Sequence, residues 1–213
     1  MNKIIYYRTA KCGSSSIVSA IKKSDHLSIH LKKDSDLSKV FPELNKYQII
    51  IVGHECKMVK NVDPATSWFL KVQNELDKLK NYKSVVVVRD PYSKFISAIN
   101  YCKISNETLL NIYDNSAKLN FHDHTHILRT QTDAVSYNNR FFADKIIKYE
   151  NFNKISEFFR ENGLEINIPK KNVTKQKKLK LDKQMIEFVN KTYPYDFENF
   201  NYVKKYSEYE FGE

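Results

Sequence analysis

Glycine and proline are scarce in this 213-residue chain, at 4 and 5 residues. That scarcity excludes collagen-like, linker-rich and low-complexity architectures. Cysteine is nearly as rare. Cys12, Cys56 and Cys102 are odd in number and lack CxxC spacing, so they read as reduced thiols rather than a disulfide framework or a zinc site. Long apolar runs are missing as well. The longest, Ile49-Ile50-Ile51-Val52 and Val85-Val86-Val87-Val88, have the length of strands and fall far short of a bilayer span. Residues Met1 to Tyr7 reach Arg8 with no signal-peptide core or cleavage site, so the expected location is cytoplasmic. Acidic residues are outnumbered: 25 Asp and Glu face 35 Lys and Arg, a net charge of +10. Such a chain attracts polyanions, whether nucleic acid, an anionic surface or a highly charged phosphate cofactor. The excess is concentrated at Lys170, Lys171, Lys175, Lys177, Lys178 and Lys180, while the segment from Glu208 to Glu213 is acidic.

What is present suffices for a folded domain. Hydrophobic residues make up 41% and charged residues 28%, the balance of a globular protein rather than a disordered one. A domain of this length buries about 70% of its unfolded surface and needs no staple. No internal repeat or linker divides the chain, and one domain over residues 1–213 is expected.

Apolar patterning orders the elements. A strand at Lys3–Tyr7 leads through a polar turn, Arg8–Gly13, into a helix at Ser14–Lys23. Ser14 or Ser15 would cap that helix, with Ile17, Val18, Ala20 and Ile21 inward. A strand at Gln48–Val52 stops at Gly53-His54. Asp63-Pro64 reads as a helix start, with Trp68, Val72, Leu76 and Leu79 on one face. A strand at Ser84–Val88 runs into Arg89-Asp90-Pro91 and a helix carrying Phe95, Ile96 and Ile99. The stretch Ser105–Arg140 is helical in propensity but polar. Lys145–Tyr149 reads as a further strand, followed by a helix from Asn153 to Asn162 that ends at Gly163. A last long helix covers Asp182–Tyr193. Strands apolar on both faces, alternating with helices, predict an α/β fold: a parallel sheet flanked by helices. Ligands of such sheets sit beyond the carboxyl ends of the strands, where Lys11, His54 and Arg89 fall.

The turn Thr9-Ala10-Lys11-Cys12-Gly13-Ser14-Ser15-Ser16 joins the first strand to the first helix. Backbone N–H groups at a helix start, a positive dipole end and three hydroxyls suit a phosphate or sulfate, and Lys11 adds a mobile charge. Taken alone, the loop is equally a serine-rich cap with an incidental lysine. It is not a Walker A loop, GxxxxGK[ST]: it has one Gly, and its Lys precedes that Gly, which disfavours a nucleotide triphosphatase or kinase. In the segment from Val85 to Ser97, Arg89 at a strand mouth can grip a phosphate with two parallel hydrogen bonds, and Ser97 lies eight positions on in the following helix. Alone, Arg89 and Asp90 read as a surface pair.

The two elements together resemble the 5′-phosphosulfate loop and the 3′-phosphate motif of sulfotransferases that use 3′-phosphoadenosine 5′-phosphosulfate (PAPS). RDPYSKFISA (residues 89–98) looks like the Golgi-type carbohydrate sulfotransferases. Gly53-His54 is placed as in the uronyl 2-O-sulfotransferase branch, and Tyr149-Glu150-Asn151-Phe152 resembles the family's later strand-to-helix junction. Asn172-Val173-Thr174 and the segment from Tyr195 to Tyr202 are similar to its C-terminal signature. There are departures. Ala10 stands where the family usually has Pro, serines replace the Gly/Thr content of the loop, Thr130 replaces a Pro before Gln131, and the membrane anchor of Golgi members is absent.

The resemblance implies a P-loop-NTPase-like sulfotransferase fold and assigns roles. Lys11, Cys12, Gly13, Ser14, Ser15 and Ser16 would hold the 5′-phosphosulfate, and Arg89 and Ser97 the 3′-phosphate. Lys11 would stabilise the leaving phosphate oxygen, and His54 would deprotonate the acceptor hydroxyl, with Glu55 as the neighbouring competitor. Gln131 is carried over only weakly. The co-substrate would be PAPS, the product 3′-phosphoadenosine 5′-phosphate, and the partner a small-molecule or saccharide acceptor rather than nucleic acid. No metal is expected. Alternate spacing would place His122, His124 and His126 on one face of a strand, as zinc sites can require, but no cysteine or second carboxylate accompanies them. The Lys170–Lys180 segment is either a nucleotide or glycan contact or a solvated flank. Two alternatives stay open: a basic nucleic-acid-binding protein and, behind it, a nucleotide kinase.

Overall fold

The computed structural model describes residues 3–32, 35–53, 71–114, 118–137, 140–169 and 181–206. These form two compact units. One comprises Met1–Val88 and Ala134–Lys171, the other Arg89–Asp133 and Asn172–Glu213.

The first unit begins with strand β1 (Lys3–Tyr7), helix α1 (Ser14–Lys23), strand β2 (Ser28–Leu31) and a short helix α2 (Leu37–Val40). Strands β3 (Ile49–Val52) and β4 (Tyr82–Val88) follow, and residues 71–76 between them are helical. In the second unit come helices α3 (Pro91–Cys102), α4 (Asn106–Tyr113) and α5 (Phe121–Ile127). Helix α6 (Gln131–Val135) carries the chain back to the first unit. A two-stranded ribbon, β5 (Ser136–Tyr137) and β6 (Arg140–Phe141), precedes strand β7 (Lys145–Lys148) and helix α7 (Asn153–Glu161). Helices α8 (Lys183–Thr192) and α9 (Pro194–Asn199) belong to the second unit.

The sheet of the first unit has five strands in the order β2-β3-β1-β4-β7, all parallel. The expected α/β architecture is therefore present. β1 lies at the centre because Lys3–Tyr7 is apolar on both faces, and its register sets Tyr6 against both Ile51 and Val85. One face of the sheet (Ile4, Tyr6, Ile49, Ile51, Val85, Val87 and Ile147) packs with Ile17, Val18, Ala20 and Ile21 of α1 and with Ile155, Phe158 and Phe159 of α7. Toward the other face the Tyr7 hydroxyl donates to Gln73 Oε1 at 2.9 Å, fixing the helical segment 71–76. The alternating faces of β1, β3 and β4 are all buried, the signature of a sheet covered on both sides.

Local chemistry explains the ends of the elements. α7 stops at Gly163, whose φ of +79° is left-handed, and Leu164 N–H donates to Phe159 O at 2.9 Å in the Schellman pattern. The polar middle of the chain becomes three short helices. Ser105 caps α4 by accepting from Thr108 N–H, and Asn120 caps α5 by accepting from Asp123 N–H. The second unit has its own core, in which Tyr92, Phe95, Ile96 and Ile99 of α3 meet Met185, Ile186, Phe188 and Val189 of α8.

Two expectations need correction. α1 is not capped by Ser14 or Ser15: Gly13, at φ +74°, is the capping residue and no side chain serves there. The strand at Gln48–Val52 is not the second, because β2 precedes it. Among the described residues no helix is long and apolar enough to cross a membrane.

Candidate functional site

In the order β2-β3-β1-β4-β7, the chain leaves β1 toward β2 on one side and leaves β4 toward β7 on the other. The switch point of the sheet therefore lies between β1 and β4, the place where open parallel sheets leave a crevice beyond their carboxyl ends. The loop after β1 is anchored at that position. Thr9 is fully buried and its hydroxyl donates to Val87 O near the end of β4. Arg8 N–H donates to Val52 O at 3.0 Å, tying the same loop to β3.

The loop turns through two left-handed residues, Lys11 at φ +62° and Gly13 at φ +74°. A lysine there carries a conformational cost that loops tolerate at functional positions. Gly13 has a second reason to be glycine. A Cβ at this position would lie 2.8 Å from ring carbons of both Tyr149 and Phe152. The segment 149–152, singled out from sequence as a strand-to-helix junction, is thus the wall against which the loop closes. Cys12 is fully buried within the core. Ser14 and Ser16 are buried while Ser15 is exposed.

The start of α1 is electropositive. Its first turn has no acidic residue and no side-chain cap. The first N–H groups of a helix lack intrahelical acceptors, and ten residues of aligned peptide dipoles concentrate positive potential there. Lys11 stands two residues before the cap, three residues before the helix begins.

In the second unit, Arg89 is the residue that follows β4. Its N–H donates to Gln131 Oε1 at 2.7 Å, and its carbonyl accepts from Gln131 Nε2 at 2.7 Å. Asp90 caps α3 by accepting from Ser93 N–H at 2.8 Å, and Pro91 occupies the first helical turn, where its missing N–H costs nothing. Asp90, which the bare sequence allowed as a surface partner of Arg89, thus serves as a helix cap. Ser97 lies seven residues past that cap, so the two share one face of α3. Ser97 is half-buried and Arg89 partly exposed.

A buried polar cluster supports this exit. Asp196, fully buried, accepts from the N–H groups of Gln131 and Thr132 at 2.8 Å each. Burial raises its carboxyl above the usual carboxylate range, opposed by the Lys94 charge and those backbone hydrogen bonds. Lys94, 1% exposed, donates to Arg129 O at 2.6 Å and lies 4.3 Å from the Tyr193 ring centroid. Sequence reading gave Gln131 little weight and passed over Lys94 and Asp196. The C-terminal resemblance around Tyr195–Tyr202 was the signal available for Asp196.

Lys205 was also missed. Its N–H donates to the Tyr92 hydroxyl at 2.6 Å, and its ammonium lies 5.4 Å from that ring. Partial burial lowers its pKa, against the opposing charge of Asp90. In the first unit, Arg8 Nη1 meets His30 Nε2 at 3.2 Å across the carboxyl ends of β1 and β2. Arg8 was read only as the start of the polar turn, and β2 was not read at all.

His54 and Glu55 lie outside the described residues, as does the Lys170–Lys180 segment. In the first unit Lys11–Gly13 form the loop and Ser14–Ser16 the first turn of α1; in the second Arg89 precedes α3 and Ser97 lies at its middle. The histidine run forms the helix α5 rather than a strand, so His124 and His126 are separated by about 200° around the axis instead of sharing a face. His126 packs edge-on to Tyr101, with ring centroids 4.9 Å apart. Among the described residues no group of His, Cys, Asp and Glu is arranged to hold a metal. Comparison with family models, with curated proteins and with solved structures gives no match for this chain.

Proposed function

We propose that the protein is a PAPS-dependent sulfotransferase with a P-loop-NTPase-like fold. It would move the sulfuryl group to a hydroxyl of an acceptor, a carbohydrate being the expected class. The observation that carries the reading is the loop at the switch point: a glycine-capped helix start without acid or side-chain cap, preceded by Lys11. The residues fit a 5′-phosphosulfate. Ser14–Ser16 offer small hydroxyls beside the first N–H groups of α1, and Lys11 supplies mobile positive charge. Arg89 and Ser97 would receive the 3′-phosphate.

In the reaction the acceptor oxygen forms a bond to sulfur as the bond between sulfur and the 5′-phosphate oxygen breaks. The acceptor proton passes to a base, for which His54 is the sequence candidate and Glu55 its competitor. Electron density accumulates on the departing phosphate oxygen, where Lys11 and the α1 dipole lower its energy.

Calorimetric titration with 3′-phosphoadenosine 5′-phosphate, adenosine 5′-phosphate and ATP tests the reading, together with transfer of labelled sulfuryl from PAPS to a panel of saccharides. The expected result is a preference for the 3′-phosphorylated nucleotide of about ten- to a hundredfold over adenosine 5′-phosphate, the effect of charge-assisted contacts. Equal affinity for those two nucleotides would overturn it. Affinity for oligonucleotides that falls steeply with salt, without that preference, would favour the nucleic-acid-binding alternative.

A further inference from the structure

The backbone of Arg89 is paired with a side chain. Gln131 accepts from its N–H and donates to its carbonyl, both at 2.7 Å. Two bonds exchanged with one residue reproduce the closely spaced pair of an antiparallel ladder. A single amide thus does for Arg89 what a neighbouring strand does inside a sheet: it fixes the peptide planes on both sides of the residue.

The amide has one possible orientation. Asp196 Oδ2 accepts from the Gln131 backbone N–H at 2.8 Å and lies 3.3 Å from Gln131 Nε2. The Arg89 N–H only donates and its carbonyl only accepts. Oε1 must therefore face the N–H, which leaves Nε2 to serve both the Arg89 carbonyl and Asp196. Asp196 is itself fixed by Thr132 N–H at 2.8 Å and by the charge of Lys94. Gln131 is 1% exposed and Asp196 fully buried, so water does not compete for these bonds.

We propose that Gln131 is a positioning residue for Arg89, held in register by Asp196, and that it sets how well the chain distinguishes a 3′-phosphorylated nucleotide from its dephosphorylated form. This rests on the sulfotransferase reading. A bidentate guanidinium–phosphate contact depends on angle as well as distance, so a guanidinium on a loosened backbone loses preference before it loses charge.

Gln131→Met is the decisive variant, because it keeps length and volume while removing both hydrogen bonds. Wild type and variant are titrated with 3′-phosphoadenosine 5′-phosphate and with adenosine 5′-phosphate, folding being checked by circular dichroism. The expected result is about a tenfold loss of affinity for the first nucleotide, with affinity for the second within twofold of wild type. A general loosening of the fold would weaken both alike. Gln131→Glu retains the acceptor for Arg89 N–H but loses the donor, and should fall between the two; it also decides the matter if Gln131→Met does not fold. Wild-type preference in a folded Gln131→Met protein, or failing that in Gln131→Glu, would overturn the positioning role. Absence of preference in the wild type would instead overturn the functional reading on which it rests.

Discussion

The loop after β1 carries Lys11 and the exit from β4 carries Arg89, yet the two are held by opposite means. The loop is shaped by backbone geometry. Two left-handed residues turn it, a buried hydroxyl moors it, and the rings of Tyr149 and Phe152 leave no room for a Cβ on Gly13. The β4 exit is shaped by side-chain hydrogen bonds, with Gln131, Asp196 and Lys94 forming a buried polar support. The first arrangement resists changes of charge and is vulnerable to added volume. The second tolerates volume-conserving changes and is vulnerable to the loss of a single polar atom.

The largest effect is expected at the polar support. Asp196→Ala would orphan two buried N–H groups and remove the charge that opposes buried Lys94, at a cost of about 3–5 kcal/mol. Urea unfolding measures it, and a loss below 1 kcal/mol would show that the cluster is not a structural support. Next comes Lys11→Ala, expected to lower turnover about 10²–10³-fold while binding of the product nucleotide and the unfolding midpoint change little. Unaltered turnover at saturating PAPS would remove Lys11 from the chemistry.

Gly13→Ala tests the backbone side of the comparison. A left-handed alanine, with two rings to displace, should destabilise by about 1–3 kcal/mol. A fully stable Gly13→Ala would mean that the wall of rings yields readily. The smallest effect concerns pH. Because burial raises the Asp196 carboxyl, it holds a proton more tightly in the folded state than in the unfolded chain. The stability tied to it is present below the ordinary carboxylate pKa and is lost as pH rises through the higher folded value. The stability difference between wild type and Asp196→Ala should therefore narrow as pH rises across that acidic window. A difference that widens with pH would reverse the assigned direction.

The comparison also explains what could be read in advance. β1, β3 and β4 were legible because a sheet covered on both sides demands unbroken apolar strands. β2 was not, because Ser28–Leu31 is an edge strand only half covered, and Ser28 and His30 break the apolar run. The cap of α1 was misassigned because serine ordinarily outranks glycine there, and the rings that require Gly13 are supplied by residues 149–152. The turn from β1 into α1 was readable since a strand–turn–helix passage is local in sequence. Gln131 and Asp196 were hardly readable, since their meaning lies in a partnership across 65 positions that no local pattern announces.

The strand order also dictates when the sheet can be made. β1 emerges first, but its ladder partners are Ile49–Val52 and Tyr82–Val86, so it has no partner until residue 52 and lacks the second until residue 86. β4 then waits for β7, which follows the whole 89–133 segment of the other unit. During synthesis a Val85–Val88 edge is thus exposed while unrelated chain is being added, and exposed apolar edges recruit other chains. A ribosome-bound or truncated product ending near residue 133 should aggregate where one ending beyond residue 169 does not, which sedimentation of the two products would show. The insertion that delivers Arg89 to the carboxyl end of β4 is, on this view, also the interval in which the nascent protein is most in need of a chaperone.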